Sequence, residues 1–441
     1  MSLEHLCILF MFVGLILGVS AGFPLGFLMG GLALIAGYIG MGNLIFYQLV
    51  LIVGGGVMRS YALSAIPLFI LMGSILFYSG MSKDLYEILN LLLRRIKGGL
   101  AIATLTMAVL ISACSGIVAA AVVVTGLIAL SPMLSRGYSK ELSTGIICAG
   151  GGVATSIPPS VLMLIYAPVV GISAAKLFIA SLIPGMMLFG LYFLYVSIRA
   201  YSQQVRLTLP PDEREIPRGI ALYKIVTLLL PTVFIILAVI GSMFFGIARP
   251  LEAAGIGIVA VLLLAALHGR LNLSSVKTSL LYCVRTTSMI LFVIVGASLF
   301  SGVFVKLGGD KIAKDFILGL TASPSILMFI MIALIILMGT FVDCVGTILI
   351  LTPFYIPIIK AFGFDMVWFG VLFCLALGIA HFTPPVSLAI FFLKGVAPKD
   401  MSLPSMYKGV IPFIFLQIIA IFIVYSFPQL ALFLPGLMGR H

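Results

Sequence analysis

The chain has 441 residues, 62% of them hydrophobic and only 9% charged, and its 25 basic and 13 acidic side chains leave a net charge of +12. A soluble domain carries roughly 25% charged residues, so this composition, with a mean hydropathy of +1.31, excludes a soluble enzyme, a secreted protein and a disordered scaffold. Apolar runs of about 20 residues, the length of a membrane-crossing helix, and the lack of alternating strand-like segments make it an all-α polytopic membrane protein in a lipid bilayer, not a β-barrel.

In chain order, spans are expected at 3–21, 23–42, 62–80, 146–167, 178–199, 225–248, 253–267, 286–306, 366–392 and 409–427. The opening MSLEHLC has no basic region before its apolar run, so that run reads as a retained helix and not a signal peptide. Two stretches, 100–135 and 325–359, are too long for one helix and are interrupted by Gly, Ser, Thr or Pro. Each is read as a re-entrant hairpin that leaves on the side it entered. With the N-terminus outside, this topology puts 17 of the 25 basic residues inside and 8 outside, in the sense of the positive-inside rule. The surplus charge therefore marks cytoplasmic loops, and no nucleic-acid partner is expected. Six scattered cysteines without CxxC spacing argue against a disulfide framework or a zinc site.

The stretch 200–224, with Pro210, Pro211, Pro217 and mixed charges, reads as a cytoplasmic linker between two halves. The halves repeat in order. IICAGGGVATSIPPSVL (146–162) matches LFCLALGIAHFTPPVSL (372–388), so that Pro158-Pro159 and Pro384-Pro385 lie 226 residues apart. A broken hairpin precedes each Pro-Pro helix, a short polar helix precedes each hairpin, and semi-polar stretches, 43–61 and 268–285, come earlier still. One hairpin starts from the cytoplasm and the other from outside, so the repeats are inverted, the architecture of secondary transporters whose sites form where broken helices meet. The parts expected are 1–99 (scaffold helices and first arm), 100–199 (first hairpin and broken helix), 200–224 (linker), 225–324 (second scaffold helices and arm), 325–408 (second hairpin and broken helix) and 409–441 (C-terminal helix and tail).

Backbone groups freed inside a membrane must line a protein cavity, where helix N-termini attract anions and helix C-termini and unwound carbonyls attract cations. In ACSGIVAAAV, Ser115 and Gly116 stand where the chain must turn; the same small residues also suit a helix-packing face. In MGTFVDCVGT, Asp343 is the only charge between Pro324 and Ile359. A carboxylate at that depth needs a cation, a donor cluster or a proton, unless it snorkels to an aqueous mouth. In GGGVATSIPPS, glycines unwind the helix, Thr155 and Ser156 offer oxygens, and Pro158 and Pro159 delay its re-formation. These oxygen-rich elements point to Na⁺ as the coupling ion, since no His/Cys cluster indicates a transition metal. One cation site is assigned to Ser115, Gly116, Gly151, Gly152, Thr155 and Ser156, and a repeat-related one to Gly339, Thr340, Asp343 and Thr383. The substrate region is assigned to Pro158, Pro159, Ser160, His381, Pro384 and Pro385, with His381 either a proton relay or a hydrogen-bonded structural residue. Arg249 and Glu252 are spaced to pair at a turn outside, and no nucleotide-binding or enzyme motif is found.

These blocks resemble a known family. IICAGGGVATSIPPSVLMLIY looks like the G-x-L-I-P-P-S signature of the large membrane subunit of tripartite ATP-independent periplasmic (TRAP) transporters, the DctM-like family. GTFVDCVGTILILTPFYIPII and GIAHFTPPVSLAIFF look like its G-x-F-L-D and T-P-P-x-G blocks, and the likeness runs along nearly the whole chain. Three departures stand out: the family's Ser-Gly-Ser is Ser115-Gly116-Ile117 here, its Thr-Pro-Thr-Glu is Arg249-Pro250-Leu251-Glu252, and its Pro-Pro-x-Gly is Pro384-Pro385-Val386-Ser387. The resemblance implies an elevator-type permease of the bacterial inner membrane that couples organic-acid (carboxylate) uptake to Na⁺. It also implies a small DctQ-like membrane subunit, expected here as a separate chain, and a periplasmic solute-binding protein. Two alternatives remain open at this point: a stand-alone Na⁺/dicarboxylate symporter of the same architecture, and a non-transporting membrane scaffold.

Overall fold

The computed structural model describes residues 3–93, 96–202, 223, 225–312, 323–384 and 386–438. Most of the linker 200–224 falls outside these residues, as do Arg94, Arg95 and Pro385. The described residues form helices and connecting turns, with no strand among them.

In the first half, α1 (Leu3–Ser20) and α2 (Leu25–Met41) lead to α3 (Leu44–Val50), which continues as a π-helical stretch, Leu51–Val57. Next come α4 (Ala65–Tyr78) and α5 (Met81–Leu93), set at 67° to each other. Gly80 turns that corner in the left-handed region (φ 80), where a Cβ would be penalised. α5 is amphipathic, burying Met81, Leu85, Ile88 and Leu89 while Lys83 stays exposed. α6 (Gly99–Ser115) and α7 (Val118–Ser135) make the first hairpin. α8 (Lys140–Gly152), a 3₁₀ turn (Val153–Thr155) and α9 (Val161–Val170) make the first broken helix, followed by α10 (Ala174–Ser202).

The second half opens with a π-helical turn, Ile225–Leu229, then α11 (Leu230–Phe244), α12 (Pro250–Leu267) and α13 (Leu273–Lys306). α14 (Pro324–Phe341) and α15 (Cys344–Ala361) form the second hairpin, and α16 (Met366–Ala380) and α17 (Leu388–Lys394) the second broken helix. α18 (Leu403–Ser426) and α19 (Gln429–Leu437) complete the chain. The 226-residue offset of the Pro-Pro pairs holds for whole elements: Val118 and Cys344 start the returning hairpin arms, and Lys140 and Met366 start the broken helices.

α18 shows that the repeats are inverted. With 24 residues it is about 36 Å long. At its start, Ser405 Oγ donates to Glu141 Oε1 (2.8 Å), and nearby Lys140 bonds Asp400 (2.6 Å), beside the open end of the first hairpin. At the far end of α18, Tyr425 Oη donates to Ser325 Oγ (2.8 Å) and Trp368 Nε1 donates to Val424 O (2.9 Å), beside the open end of the second hairpin. The two hairpins therefore enter the bundle from opposite ends.

Burial separates centre from periphery. Every residue from Leu142 to Gly152 and from Val367 to Ala380 is buried, whereas Leu17, Phe234 and Leu263, on α1, α11 and α12, are 64%, 70% and 59% exposed. Apolar surface on that scale faces lipid. Small residues let the central helices touch at backbone distance: a Cβ on Gly145 would stand 2.2 Å from Gly409 O. Gln417, 1% exposed, ties three helices, accepting from Tyr192 Oη (2.9 Å) and donating to Leu375 O (2.8 Å). Gln417→Leu strands the Tyr192 hydroxyl in a dry interior, which costs about 1–3 kcal/mol, and removes the cross-helix bond to Leu375 O. A clearly lowered unfolding temperature in detergent is expected, and an unchanged one would show that the contact contributes nothing.

Several expectations need correction. From Leu273 on, the semi-polar stretch 268–285 and the span 286–306 are one 34-residue helix, α13, about 51 Å long. The Asn272 side chain caps it by accepting from Ser275 N (2.7 Å), and Lys277 and Arg285 sit on its surface without interrupting it. The fourth span starts at Lys140 and not at 146, since Ser139 accepts from Leu142 N there. Arg249 and Glu252 do not pair through their side chains; Glu252 Oε2 accepts from the Arg249 backbone N (2.8 Å) and starts α12. The tail holds a further helix, α19, packed on α10 and α16.

Candidate functional site

The glycines explain how the broken helices cross. A Cβ on Gly152 would lie 2.2 Å from the Phe382 ring, and one on Gly378 would lie 2.9 Å from Thr155 Oγ1. The 226-residue offset makes Gly152 the repeat counterpart of Gly378, and Thr155 that of His381. The helices thus pass each other at equivalent positions, where only glycine admits so close an approach.

Both hairpin tips join this crossing. Gly116 is left-handed (φ 62), and a Cβ there would meet Pro159 O at 2.9 Å and Val161 N at 3.0 Å. Ser112 Oγ, one turn before the tip, donates to Gly150 O (3.0 Å) and Gly151 O (3.1 Å), carbonyls in the last turn of α8. Ser112 was not among the sequence candidates; its spacing of three from Ser115, which puts both on one helix face, could have found it. Ser115 Oγ bonds Ile111 O within its own helix (2.9 Å). Thr155 Oγ1 donates to Gly152 O (3.1 Å) and lies 3.1 Å from Ser156 Oγ.

At the second tip, Asp343 caps α15, its Oδ1 accepting from Val345 N (2.7 Å), while Thr347 Oγ1 donates to Asp343 O (3.0 Å). Asp343 is therefore fixed to the helix start and does not snorkel. Thr340 and Thr383 spend their hydroxyls on Leu337 O and Ile379 O of their own helices (2.7 and 2.8 Å). A Cβ on Gly339 would meet Ala380 at 2.7 Å, so this glycine serves helix approach. The His381 ring, 7% exposed, lies 3.5 Å from Cys344 Sγ and 3.1 Å from Leu377 O. Ser387, in a left-handed conformation (φ 43), donates to Phe382 O (2.9 Å) and turns the chain into α17. Pro384 is exposed, and the Pro158–Pro159 bond is cis.

A cavity of about 710 Å³ unites these parts, a size suited to a small ligand. It is lined by both tips (Gly116 to Ala119, and Asp343 to Val345), by Thr155, Val161 and His381 of the broken helices, and by residues of α2 and α13. Of the assigned residues, Gly116, Thr155, Asp343 and His381 line it; Ser115, Gly151, Gly152, Ser156, Pro158, Pro159, Ser160, Gly339, Thr340, Thr383 and Pro384 do not. Tyr282 and Thr286 of α13 line it too. They were missed, although their i, i+4 spacing marks one helix face.

This arrangement has a counterpart among solved structures. The crystal structure of the YdaH transporter of Alcanivorax borkumensis superposes with a TM-score of 0.64 at 15% identity, covering 97% of this chain and 98% of that one. It supports the fold alone. The sequence profile described as "Tripartite ATP-independent periplasmic transporter, DctM component" matches residues 8–430. The chain belongs to that family. Among its relatives, the ectoine TRAP transporter large permease protein of Halomonas elongata is 31% identical over 387 residues, covering 87% of this chain and 88% of the relative. The C4-dicarboxylate TRAP transporter large permease protein of Pseudomonas aeruginosa is 29% identical over 382 residues, covering 86% and 87%. The isethionate TRAP transporter permease protein DctMQ of Oleidesulfovibrio alaskensis is 27% identical over 440 residues, covering 98% of this chain and 67% of that one. The protein is a transporter permease and not an enzyme, a multi-span subunit of the bacterial inner membrane. TRAP large permeases work with a small membrane subunit and a periplasmic binding protein.

Proposed function

We propose that this large permease takes up an organic acid by Na⁺ symport, moving its hairpins and broken helices together against a fixed frame. The observation that carries the reading is the convergence of two hairpin tips and two broken helices from inverted repeats on one cavity. There the Asp343 carboxylate and the ends of interrupted helices give cation and anion contacts within one space.

One cation is assigned to the first tip, with the carbonyls of Gly116 and α8 and the hydroxyls of Thr155 and Ser156, 3.1 Å apart, as its ligands. Ser160 joins this group, because its buried hydroxyl has no partner and it adjoins Gly116. The second cation is assigned to Asp343 and the unwound turn around it; Thr340 and Thr383, whose hydroxyls face their own helices, take no direct part. The moving part is 100–199 and 325–408, and the frame is α1 to α4 with α11 to α13. Asp84 and Arg270, paired at 2.9 Å, link α5 to this frame.

Proteoliposomes carrying the permease with its small subunit and supplied with the binding protein test the reading. Uptake should need an inward Na⁺ gradient and no ATP. Uptake at an unchanged rate in Na⁺-free buffer under a proton gradient alone would refute it.

A further inference from the structure

We infer that a second cavity, between α13 and α15, holds a phospholipid whose head carries both a phosphate and a primary ammonium, Lys306 taking the phosphate and Asp310 the ammonium. This space of about 720 Å³ shares no lining residue with the cavity at the hairpin tips. The π-helical stretch Leu51–Val57 and α13 wall it on one side, α9 and α15 on the other. Lys306 ends α13 and Asp310 follows it, at the end that the distribution of basic residues puts outside. The head of an outer-leaflet lipid lies at that level.

The protein leaves the polar part of this lining unused. Gln48, Ser298, Ser301, Lys306 and Asp310 make no side-chain hydrogen bond or ion pair among the described residues. Lys306 and Asp310 are four apart, a spacing at which opposite charges can pair, yet no ion pair joins them. Helical serines commonly turn their hydroxyls onto the preceding turn, as Ser74, Ser197 and Ser242 do. Ser298 and Ser301 do not. Ile294, Ser298, Gly302 and Lys306 recur every four residues and all line the cavity, so one face of α13 carries a polar stripe from Lys306 to Ser298, about 12 Å into the membrane.

That order of chemistry is the order of a phospholipid. The Lys306 ammonium donates to the phosphate in a charge-assisted bond, Ser301 and Ser298 donate to the ester oxygens, and an acyl chain covers Ile294, Ile165 and Leu349, which line the deeper wall. Leu51 and Val305, also in the lining, are 47% and 41% exposed and give the chain a way in from the membrane. Asp310 selects the head. An anionic head without an ammonium sets like charge against it. A choline head has no N–H to donate and is held by aromatic faces instead, and none of the described lining residues is aromatic. A soluble zwitterion leaves the apolar wall uncovered. On the division into frame and moving part proposed above, α13 and α15 slide past each other, so a lipid held between them favours the arrangement that leaves this space open.

Native mass spectrometry tests this on the permease with its small subunit, delipidated and then offered equal amounts of phosphatidylethanolamine, phosphatidylglycerol and phosphatidylcholine with the same acyl chains. The most tightly held lipid should be phosphatidylethanolamine, preferred at least about ten-fold over the other two. Lys306→Gln should remove the preference, and Asp310→Lys should transfer it to phosphatidylglycerol. Unfolding temperatures without lipid should match that of the unaltered protein, since Lys306 is exposed and neither side chain bonds its surroundings. Equal retention of the three lipids, or a preference that survives Lys306→Gln, would overturn the inference. So would free phosphoethanolamine binding as tightly as the whole lipid, which would make the occupant a soluble zwitterion. Each result reads lipid binding alone, so Na⁺-coupled uptake stands or falls separately.

Discussion

Asp343→Asn should reduce Na⁺-stimulated uptake at least about ten-fold while leaving the protein folded. Asn is as good a helix cap as Asp, so the bond from Val345 N (2.7 Å) can be kept. What is lost is the charge, in a half-buried position on a cavity with no basic side chain among its described lining residues. A cation held there by a carboxylate would lose its strongest ligand. Asp343→Ala should also lose the cap, a further cost of about 1 kcal/mol in stability. The check is the initial rate of uptake against Na⁺ concentration, with the unfolding temperature measured on the same preparations. Normal transport by Asp343→Asn with an unchanged Na⁺ response would make Asp343 structural and remove the second cation site.

Gly116→Val should abolish uptake for a different reason. A β-branched residue in the left-handed region costs roughly 1–2 kcal/mol in conformation alone. Here the new Cβ also meets Pro159 O at 2.9 Å and Val161 N at 3.0 Å, and neither backbone atom can swing aside. The first tip would be levered off the broken helix, taking Ser112 from the α8 carbonyls. Gly137→Val is the control, since Gly137 has φ 85 with nothing within 4 Å of its Cβ position. It bears the conformational cost and nothing else. Uptake reduced equally in both variants would mean that backbone strain, and not the tip contact, is what matters.

Much of this was legible in the sequence because the repeat is written in residues that cannot be silent in a helix. Paired prolines at 158–159 and 384–385 must interrupt it, and apolar runs too long for one span must turn back. The offset they define reaches as far as the crossing of Gly152 and Gly378. Less legible was anything set by partners distant in sequence. Ser112, Tyr282 and Thr286 look like ordinary polar residues in helices until the fold gives them a carbonyl or a cavity. Thr340 and Thr383 carry the right atoms at the right positions, yet their hydroxyls bond their own helices, a choice made by rotamer and not by spacing. The length of α13 was hidden by Lys277 and Arg285, which set 268–285 apart as a semi-polar stretch although the helix merely runs past the membrane surface.

The account turns on coupling between ion and acid at one site, and the most direct measurement is their mutual effect on binding. In nanodiscs holding the permease and its small subunit, raising Na⁺ to about 100 mM should tighten the affinity for the transported acid at least ten-fold, and the acid should tighten Na⁺ by the same factor, since equilibrium coupling is reciprocal. Acid affinity independent of Na⁺ would contradict a shared site between the two hairpin tips.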